Sequence, residues 1–454
     1  MGILIRDAQV VLPEYDKGRY LGSRVERTSI GILGKNIYFI GDNVPGDFKI
    51  DEEIDGRDSL VIPGLINAHT HSYMSLFRNF ADDLPFMEWL MERIDPMEQK
   101  LTPEDAYIGA KLAIIEMMKS GTTCFNDMQM HIHQTTKAVA ETGMRAFIGR
   151  GLVGGLNEDG SVNDIGTIKL NEALEEMQDT SLTDRLGFFF APHAPYTCDP
   201  GYLKHVAGLA KEKGTGIHIH LAESVTECEN TAKDHGCTPI EYADRAGCFE
   251  VPCIAAHCVQ ATDEDIALMA AKGVSVVSNP ASNMKLGNGF APVKKMLDAG
   301  VNVCLGTDGA ASNNSLNLFR EMNIMALIHK GTGRTPQCVS AQECFAMATI
   351  NGAKALGLED RLGSIEVGKR ADLAILDLRS PSLMPNNDPL SALCYSANGS
   401  EVKTVIIDGV ITMKDRKILT FNEDEVYDQA SLSAKRIGIG DRLDRLPADT
   451  YEDH

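Results

Sequence analysis

The sequence predicts an α/β protein: a (β/α)₈ barrel accompanied by a small β-sandwich domain built from both ends of the chain. Between residues 60 and 365, eight short apolar runs alternate with amphipathic helical segments, which is the pattern of parallel βα units. This length also matches a closed barrel, whose usual size is about 250 residues with insertions. Doubly wound sheets alternate in the same way, but eight consecutive units favour closure.

The eight apolar runs are the predicted barrel strands. Residues 103–119 illustrate the intervening helices, because apolar side chains recur there at helical spacing. A further helix is predicted over residues 340–355. The strands are predicted at residues 60–68, 122–127, 145–152, 186–191, 216–221, 253–256, 274–278 and 301–306.

The two ends of the chain have a different, β-rich character. Short β-like segments occur at residues 3–12, 29–34, 36–41, 371–377 and 402–413. They predict one small domain from residues 1–59 plus 366–423, beside a barrel of residues 60–365. The polar tail, residues 424–454, is expected to begin as helix and to fray at residues 449–454.

Composition limits the classes of partner. The chain has 454 residues, with 43 Lys and Arg against 64 Asp and Glu, a net charge of −21. Such a surface repels nucleic acid and anionic membranes, so neither is an expected partner. No apolar run is long enough to cross a bilayer, and the first residues lack a signal-peptide pattern.

The eleven cysteines lie mostly in apolar segments, which indicates buried, reduced thiols and a cytoplasmic protein. Cys253 and Cys258 flank His257 and resemble part of a metal site. They have no matching second pair, so we interpret them as core residues.

Polar side chains end several of the predicted strands. His69 and His71 close the first strand, where side chains two apart point to the same side and can bind one metal ion. Taken alone, they could equally be polar residues of a turn. His193, His220 and His257 end strands 4, 5 and 6, and Asp308 ends strand 8. Because barrel enzymes carry their chemistry at the carboxyl ends of the strands, we expect these residues to share one rim.

These residue types suit hydrolysis. Three neutral imidazoles and a carboxylate leave a divalent ion with room for water, and the ion lowers the pKa of that water towards about 7. Glu223 follows His220 closely and could shuttle protons. Strict alternation would point it away from His220, so the chain must turn at Ala222.

The motifs resemble those of the amidohydrolase superfamily, and more specifically those of the 5-methylthioadenosine/S-adenosylhomocysteine deaminases. The resemblance covers nearly the whole chain. It is carried by Pro-Gly-Leu-Ile-Asn-Ala-His-Thr-His at 63–71, Ile-His-Leu-Ala-Glu-Ser at 219–224, Asn-Pro-Ala-Ser-Asn-Met-Lys-Leu-Gly-Asn-Gly at 279–289, Gly-Thr-Asp-Gly-Ala-Ala-Ser-Asn-Asn at 306–314 and Gly-Lys-Arg-Ala-Asp-Leu-Ala at 368–374.

The resemblance implies a role for each of these residues. One divalent ion, zinc or else iron, would be held at a single-metal site, because no bridging lysine ends strand 4. Catalysis would be hydrolytic deamination at C6 of an adenine nucleoside, in a homodimer or homotetramer. The implied metal ligands are His69, His71, His220 and Asp308. The implied catalytic residues are Glu223 (proton relay), His257 (water orientation) and Asp308 (second proton). The implied substrate contacts are Glu98 (ribose), Arg150 (the group carried on the ribose), His193 (purine), Glu223 and Asp308.

One loop departs from the family pattern. Members that accept S-adenosylhomocysteine have a second arginine in the loop after strand 3, whereas residues 154–163 are acidic and contain none; only Lys169 is nearby. Methylthioadenosine, adenosine or 5′-deoxyadenosine are therefore expected to be the better substrates.

Two other functions stay open on the sequence. One is hydrolysis of another amino- or chloro-substituted heterocycle, such as guanine or a triazine. The other is a non-catalytic scaffold with an amidohydrolase fold, although the complete set of ligand residues argues against it.

Several further polar and aromatic residues have plain structural interpretations. Phe86 and Trp89 could cover a purine pocket or pack in the core. We interpret His131 and His133 as the solvated start of a helix and His218 as a hydrogen-bonded core residue. Surface positions are expected for His205, His235 and His329. Turns rather than substrate contacts are expected for Asn279, Asn283 and Asn288.

Overall fold

The fold contains a parallel barrel and a mixed sheet, and the computed structural model describes them over residues 1–179 and 183–439. In chain order the strands are β1 (Gly2–Asp16), β2 (Arg19–Leu33), β3 (Asn36–Ile40), β4 (Glu52–Asp55), β5 (Ser59–Pro63), β6 (Leu65–Thr70), β7 (Thr122–Gln129), β8 (Arg145–Leu152), β9 (Leu186–Phe188), β10 (Ala191–Pro192), β11 (Ile217–Leu221), β12 (Cys253–His257), β13 (Ser275–Ser278), β14 (Asn302–Leu305), β15 (Leu373–Asp377), β16 (Val402–Ile407), β17 (Val410–Lys414) and β18 (Lys417–Ile418).

Helices follow most of the barrel strands. None of the described helices is long and apolar enough to cross a membrane. In chain order they are α1 (Phe86–Glu88), α2 (Asp95–Glu98), α3 (Pro103–Lys119), α4 (Ile132–Thr142), α5 (Asp164–Gln178), α6 (Pro200–Lys213), α7 (Val225–His235), α8 (Pro239–Arg245), α9 (Asp263–Lys272), α10 (Pro280–Lys285), α11 (Val293–Asp298), α12 (Leu318–Gly333), α13 (Ala341–Met347), α14 (Ile350–Ala355), α15 (Pro389–Tyr395) and α16 (Glu423–Ile437).

The barrel strands are parallel and form two runs. β6, β7 and β8 pair in that order, with β9 and β10 both on β8, and β11 to β14 pair consecutively. A parallel bridge between Phe190 and Ile217 joins the two runs on one side. On the other side, the backbone N–H of Thr307 donates to His69 O at 3.1 Å. The predicted (β/α)₈ barrel is therefore confirmed, with β9 and β10 together as its fourth strand.

The second sheet combines both ends of the chain. Its strand order is β18-β17-β16-β15-β5-β1-β2-β3, with β4 paired to β1. β15 lies antiparallel to β5, and β5 lies parallel to β1. The predicted β domain from both termini thus takes the form of one continuous, nine-stranded mixed sheet.

The first barrel strand differs from its prediction. Residues 60–68 were expected to form one strand, but β5 belongs to the mixed sheet and β6 to the barrel. The chain crosses between them at Gly64, whose N–H donates to Asp372 O at 2.8 Å. A Cβ there would lie 2.0 Å from Thr123 Oγ1, so the crossing requires glycine.

Two other predicted elements are also divided. The strand at 186–191 becomes β9 and β10 because Phe190 between them pairs with Ile217 instead. The helix at 340–355 becomes α13 and α14, with Thr349 between them outside helical geometry. The polar tail begins as α16, as expected. The predicted fraying at 449–454 lies outside the described residues.

A buried ion-pair network joins the barrel to the mixed sheet. Arg145, at the start of β8, contacts Asp372 at 2.7 Å and Asp408 at 3.1 Å, and all three side chains are at most 4% exposed. Removing Arg145 would leave the buried carboxylate of Asp372 without its cationic partner, and breaking a buried pair in this way costs roughly 3–5 kcal/mol.

Two smaller predictions have different outcomes. His329 was placed on the surface, which is wrong: it lies on the inner side of α12 and is buried. Cys253 and Cys258 are free and buried, as their interpretation as core residues requires.

Candidate active site

The polar residues predicted at the strand ends come together at the carboxyl end of the barrel. His69 lies in β6 and His71 directly follows it, His220 lies in β11, and Asp308 follows β14. All four are buried, with at most 8% exposure. We call these four residues the His–Asp cluster.

The free atoms of the cluster face one another. His71 Nε2 lies 3.2 Å from His220 Nε2, and Asp308 Oδ1 lies 3.4 Å from both His69 Nε2 and His71 Nε2. His69 Nε2 is buried without a hydrogen-bond partner among the described residues. A tetrahedral ion bound at about 2.0–2.1 Å holds its ligand atoms about 3.3–3.4 Å apart. The residues therefore fit a divalent metal ion, which would also satisfy the unpartnered nitrogen.

Each histidine of the cluster is oriented through its other ring nitrogen. Such contacts select the tautomer that leaves Nε2 free for a metal ion and fix the plane of the ring. The contacts are His71 Nδ1 donating to Met128 O at 2.9 Å, His220 Nδ1 donating to His193 O at 2.8 Å, and His69 Nδ1 lying 2.8 Å from His218 Nε2.

The aspartate of the cluster is fixed in the same way. The hydroxyl groups of Ser282 and Ser312 both donate to Asp308 Oδ2 at 2.7 Å, which leaves Oδ1 directed at the histidines. Burial alone would raise the pKa of Asp308, but its contact with His69 and the neighbouring imidazoles hold it well below the usual value.

Glu223 reaches the site through the expected turn. Ala222 has a φ of +50°, a left-handed conformation that reverses the strand alternation. The Glu223 carboxyl is buried, with Oε2 3.7 Å from His257 Nε2, and Oε1 accepts a hydrogen bond from Asn288 Nδ2 at 3.1 Å. The predicted turn at Ala222 is confirmed.

His257 is held by the segment after β13. Its Nδ1 donates to Asn283 Oδ1 at 2.8 Å, and Asn279 Nδ2 lies 3.4 Å from the same nitrogen. These contacts direct Nε2 of His257 towards Glu223 and the His–Asp cluster. His257 therefore presents a ring nitrogen to the space between Glu223 and the His–Asp cluster.

The pKa values of the two carboxyl groups of the site, Glu223 and Asp308, are shifted in opposite directions. Burial and the charge of Asp308 raise the pKa of Glu223 well above its usual value, whereas Asp308 is held ionised. Pairs of titratable groups that are pushed apart in this way are typical of acid and base roles in one site. Glu223 is accordingly suited to carry a proton.

A second group of predicted residues lines the adjoining side of the rim. Tyr73 donates its hydroxyl proton to Glu98 Oε1 at 2.5 Å, and burial raises the pKa of Glu98 to about 7. Arg150, at the end of β8, contacts Glu172 at 2.5 Å. Lys169 is half-buried, and its pKa is lowered by burial and by the charge of Arg150. We call the group of Glu98, Arg150, Lys169 and His193 the cationic side, after the two cations Arg150 and Lys169.

His193 links the two groups. Its backbone oxygen orients His220, and its Nδ1 lies 3.0 Å from Thr197 Oγ1. Burial lowers the pKa of His193 to about 3, and Lys169 contributes to that lowering. A neutral imidazole at this position can exchange hydrogen bonds with a heterocycle without adding charge.

Comparison with known proteins identifies the family. The sequence pattern of the amidohydrolase family matches residues 60–412 of this chain. The chain belongs to the amidohydrolase family. A protein named 5-methylthioadenosine/S-adenosylhomocysteine deaminase, from Caldanaerobacter subterraneus subsp. tengcongensis, is 45% identical over 97% of this chain and 100% of its own length.

Solved amidohydrolase-like structures have the same fold. An adenosine deaminase from Xanthomonas campestris with bound zinc matches with a TM-score of 0.88 and 32% identity, over 96% of this chain and 98% of its own. An atrazine chlorohydrolase from Arthrobacter aurescens, complexed with zinc, matches with a TM-score of 0.85 over 95% of this chain and 99% of its own. At 24% identity, the second likeness concerns the fold alone.

The amidohydrolase motifs predict which residues come together at the rim but not the side chains that orient them. Asn283 and Asn288 were interpreted as turn residues, yet they bond His257 and Glu223. Ser282 and Ser312 were not singled out at all. The runs at 279–289 and 306–314 carried the available signal, because several small polar residues follow a barrel strand in each. His218 is buried and hydrogen-bonded, as predicted.

The positions of Phe86 and Trp89 agree with their interpretation as core residues. Phe86 and Trp89 are stacked, with ring centroids 6.2 Å apart, and both are buried. They belong to an apolar cluster that also contains Tyr73 and Met97. The apolar cluster contacts the cationic side through Tyr73, whose hydroxyl group donates a hydrogen bond to Glu98.

Proposed function

We propose that this amidohydrolase is a metal-dependent hydrolytic deaminase of adenosine-type nucleosides: 5-methylthioadenosine, S-adenosylhomocysteine, adenosine or 5′-deoxyadenosine. The product would be the corresponding inosine analogue and ammonia. The observation that carries the proposal is the placement of the buried Glu223 carboxyl beside His257 and the His–Asp cluster. The name of the 45% identical relative supports the same substrate class.

We assign the metal site to His69, His71, His220 and Asp308, with zinc as the ion and iron as the alternative. The 32% identical adenosine deaminase from Xanthomonas campestris, solved with bound zinc, supports this choice. A divalent ion bound there supplies Lewis acidity: it lowers the pKa of a water molecule towards about 7 and makes hydroxide available at neutral pH.

The chain's own residues then move the protons. Glu223 accepts one proton from the attacking water and delivers it to N1 of the adenine ring, which makes C6 electrophilic. His257 orients the water oxygen towards C6 through Nε2. Asp308 accepts the second proton and returns it to the amino group, which leaves C6 as ammonia. Both protons of the water are accounted for, and the oxygen remains on C6.

The cationic side would bind the nucleoside. Glu98 is proposed to accept hydrogen bonds from the ribose hydroxyls, and His193 to bond the purine ring. Arg150 would contact the group carried on the ribose. The acidic loop at 154–163 favours methylthioadenosine, adenosine and 5′-deoxyadenosine over S-adenosylhomocysteine.

We also propose the wider setting expected from the sequence. The chain would divide into residues 1–59 plus 366–423, a barrel of 60–365 and a tail of 424–454, although β5 pairs with the terminal sheet. It would act in the cytoplasm as a homodimer or homotetramer, without nucleic-acid or membrane partners.

A substrate screen tests the function. Purified protein loaded with zinc is assayed for ammonia release from adenosine, methylthioadenosine, 5′-deoxyadenosine, S-adenosylhomocysteine and guanine, and for chloride release from a chlorotriazine. We expect ammonia from the adenine nucleosides, with methylthioadenosine above S-adenosylhomocysteine in kcat/KM. Turnover of only guanine or the triazine would overturn the proposal, as would no turnover with stoichiometric metal.

A further inference from the structure

The turn that aims Glu223 is held by another buried carboxyl group. Both oxygens of Glu227 accept backbone hydrogen bonds: the N–H of Ala222 donates to Oε1 at 3.2 Å, and the N–H of Glu223 donates to Oε2 at 2.7 Å. Glu227 is 5% exposed and lies in the first turn of α7. One side chain therefore binds the two peptide groups that set the direction of Glu223.

Other helices of the chain show that this is not ordinary capping. At the starts of α3, α8, α9 and α13, an acidic third residue bonds the N–H of the capping residue itself. Glu227 occupies the same third position of α7, behind the capping Ser224. Its oxygens instead reach the two residues before the cap, Ala222 and Glu223.

The turn needs such support. Ala222 has a φ of +50°, and the left-handed region is unfavourable for a non-glycine residue because its Cβ crowds the following carbonyl oxygen. The two N–H groups are buried, so losing Glu227 would also leave donors without partners. An extended backbone at Ala222 would relieve the strain and the loss of partners, but it would turn the Glu223 side chain away from His220.

We propose that Glu227 is a positioning residue for deamination: it fixes the left-handed turn at Ala222 and so holds the Glu223 carboxyl in reach of the reacting water and the purine. The inference rests on the proposed role of Glu223. Glu227 itself need not touch the substrate or a metal ion, so its loss should change the chemical step without changing metal binding.

The first test compares Glu227→Ala with a matched control, Asp265→Ala. Asp265 is as deeply buried, is also the third residue of a helix after a barrel strand, and makes an ordinary capping box in α9. In Glu227→Ala we expect kcat to fall about 10²-fold, the effect of a displaced catalytic group, with KM and metal content near wild type. In Asp265→Ala we expect only a lower melting temperature. Equal kcat values in the two variants would overturn the proposal.

A double-mutant cycle separates positioning from general stability. Once Glu223→Gln has removed the proton relay, adding Glu227→Ala should lower kcat by less than about threefold, because residues acting as one unit are not additive. A full 10²-fold loss in both backgrounds would show that Glu227 acts independently and would refute the inference. If Glu223→Gln alone retained wild-type turnover, the proposed function would fail instead.

A conservative variant, Glu227→Gln, tests the proposal even if Glu227→Ala fails to fold. Glu227→Gln retains one carbonyl oxygen that can accept the N–H of Glu223, so we expect it to keep at least tenfold more kcat than the alanine variant, or to fold where that variant does not, with kcat still below wild type. A folded glutamine variant with kcat no higher than that of a folded alanine variant would refute the positioning role, since it would show that the hydrogen bond to the N–H of Glu223 does not affect turnover.

Discussion

The His–Asp cluster and the cationic side lie on one rim but are built differently. Every histidine of the cluster uses its second ring nitrogen in a contact of 2.8–2.9 Å, and two serine hydroxyls hold the aspartate. On the cationic side, Glu98 has a single side-chain bond from Tyr73, and Arg150 pairs with Glu172, whose side chain is 44% exposed.

We relate this difference to two proposed roles: the His–Asp cluster serves the chemical step, and the cationic side selects the substrate. The groups that must meet a fixed ion geometry are oriented by neighbours on several strands, which limits their rotation. Among the groups proposed to meet the nucleoside, Arg150 pairs with the partly exposed Glu172 side chain, so this part of the site can adapt to different 5′ substituents. We therefore expect substitutions in the cluster to affect turnover and metal binding, and those on the cationic side to affect mainly KM.

The largest effect is expected for a direct ligand of the ion. In His220→Ala we expect loss of stoichiometric metal and a fall in kcat on the order of 10³–10⁴-fold, since the Lewis acidity of an ion contributes several kcal/mol. Elemental analysis and ammonia release measure the two quantities. His235→Ala, an exposed histidine of α7, should change neither. Full metal content in His220→Ala would remove His220 from the ligand set.

The proton relay should come next. Glu223→Gln keeps the size of the side chain but cannot carry a proton, so kcat should fall by about 10²–10⁴-fold while metal stays bound. The control is Glu176→Gln, a buried carboxyl that bonds Thr136 away from the rim. Near-normal turnover in Glu223→Gln would contradict the assigned role.

A smaller effect is expected for a neighbour of a ligand. His218→Leu removes the contact to His69 Nδ1, and losses of this kind typically lower metal affinity or activity by about 10–100-fold. Competition with a chelator measures the affinity. His329→Leu, another buried histidine but on α12, provides the comparison, and an equal loss there would mean that burial rather than orientation matters.

The smallest effect should appear as a pH dependence on the cationic side. Only ionised Glu98 accepts bonds from both ribose hydroxyls, and its pKa is raised to about 7. Below that pH the carboxyl becomes protonated, so kcat/KM should fall about tenfold for each unit of pH, while kcat at saturation changes less. In Glu98→Gln this acidic limb should disappear. Exposed Glu92→Gln should retain it, and an unchanged profile in Glu98→Gln would assign the limb to another group.

The sequence predicts the residues that we propose to react better than the residues that orient them. His69, His71, His220 and Asp308 are recognisable because each ends an apolar run, and barrel topology brings such ends together. Ser282, Ser312 and Asn283 have no comparable local signal, since their partners lie on other strands and depend on side-chain directions. Glu98 was assigned through family resemblance alone, because its short helix follows no strand directly.

Errors in the fold have similar causes. The apolar run at 60–68 reads as one strand because both halves are buried, and only the close approach of Thr123 to Gly64 separates them. His329 has a polar side chain on a helix with mixed composition, so its burial depends on how α12 packs. Periodicity could define the helix but could not give that direction.

The crossing at Gly64 has a consequence for synthesis of the protein. β6, which carries His69, continues from β5, and the antiparallel neighbour of β5 is β15, a strand made much later by the ribosome. A nascent chain that ends before β15 therefore has β5 paired with β1 on one side only, even when every proposed metal ligand has emerged. Metal uptake is expected to be a late event in biogenesis, following the closure of the terminal sheet.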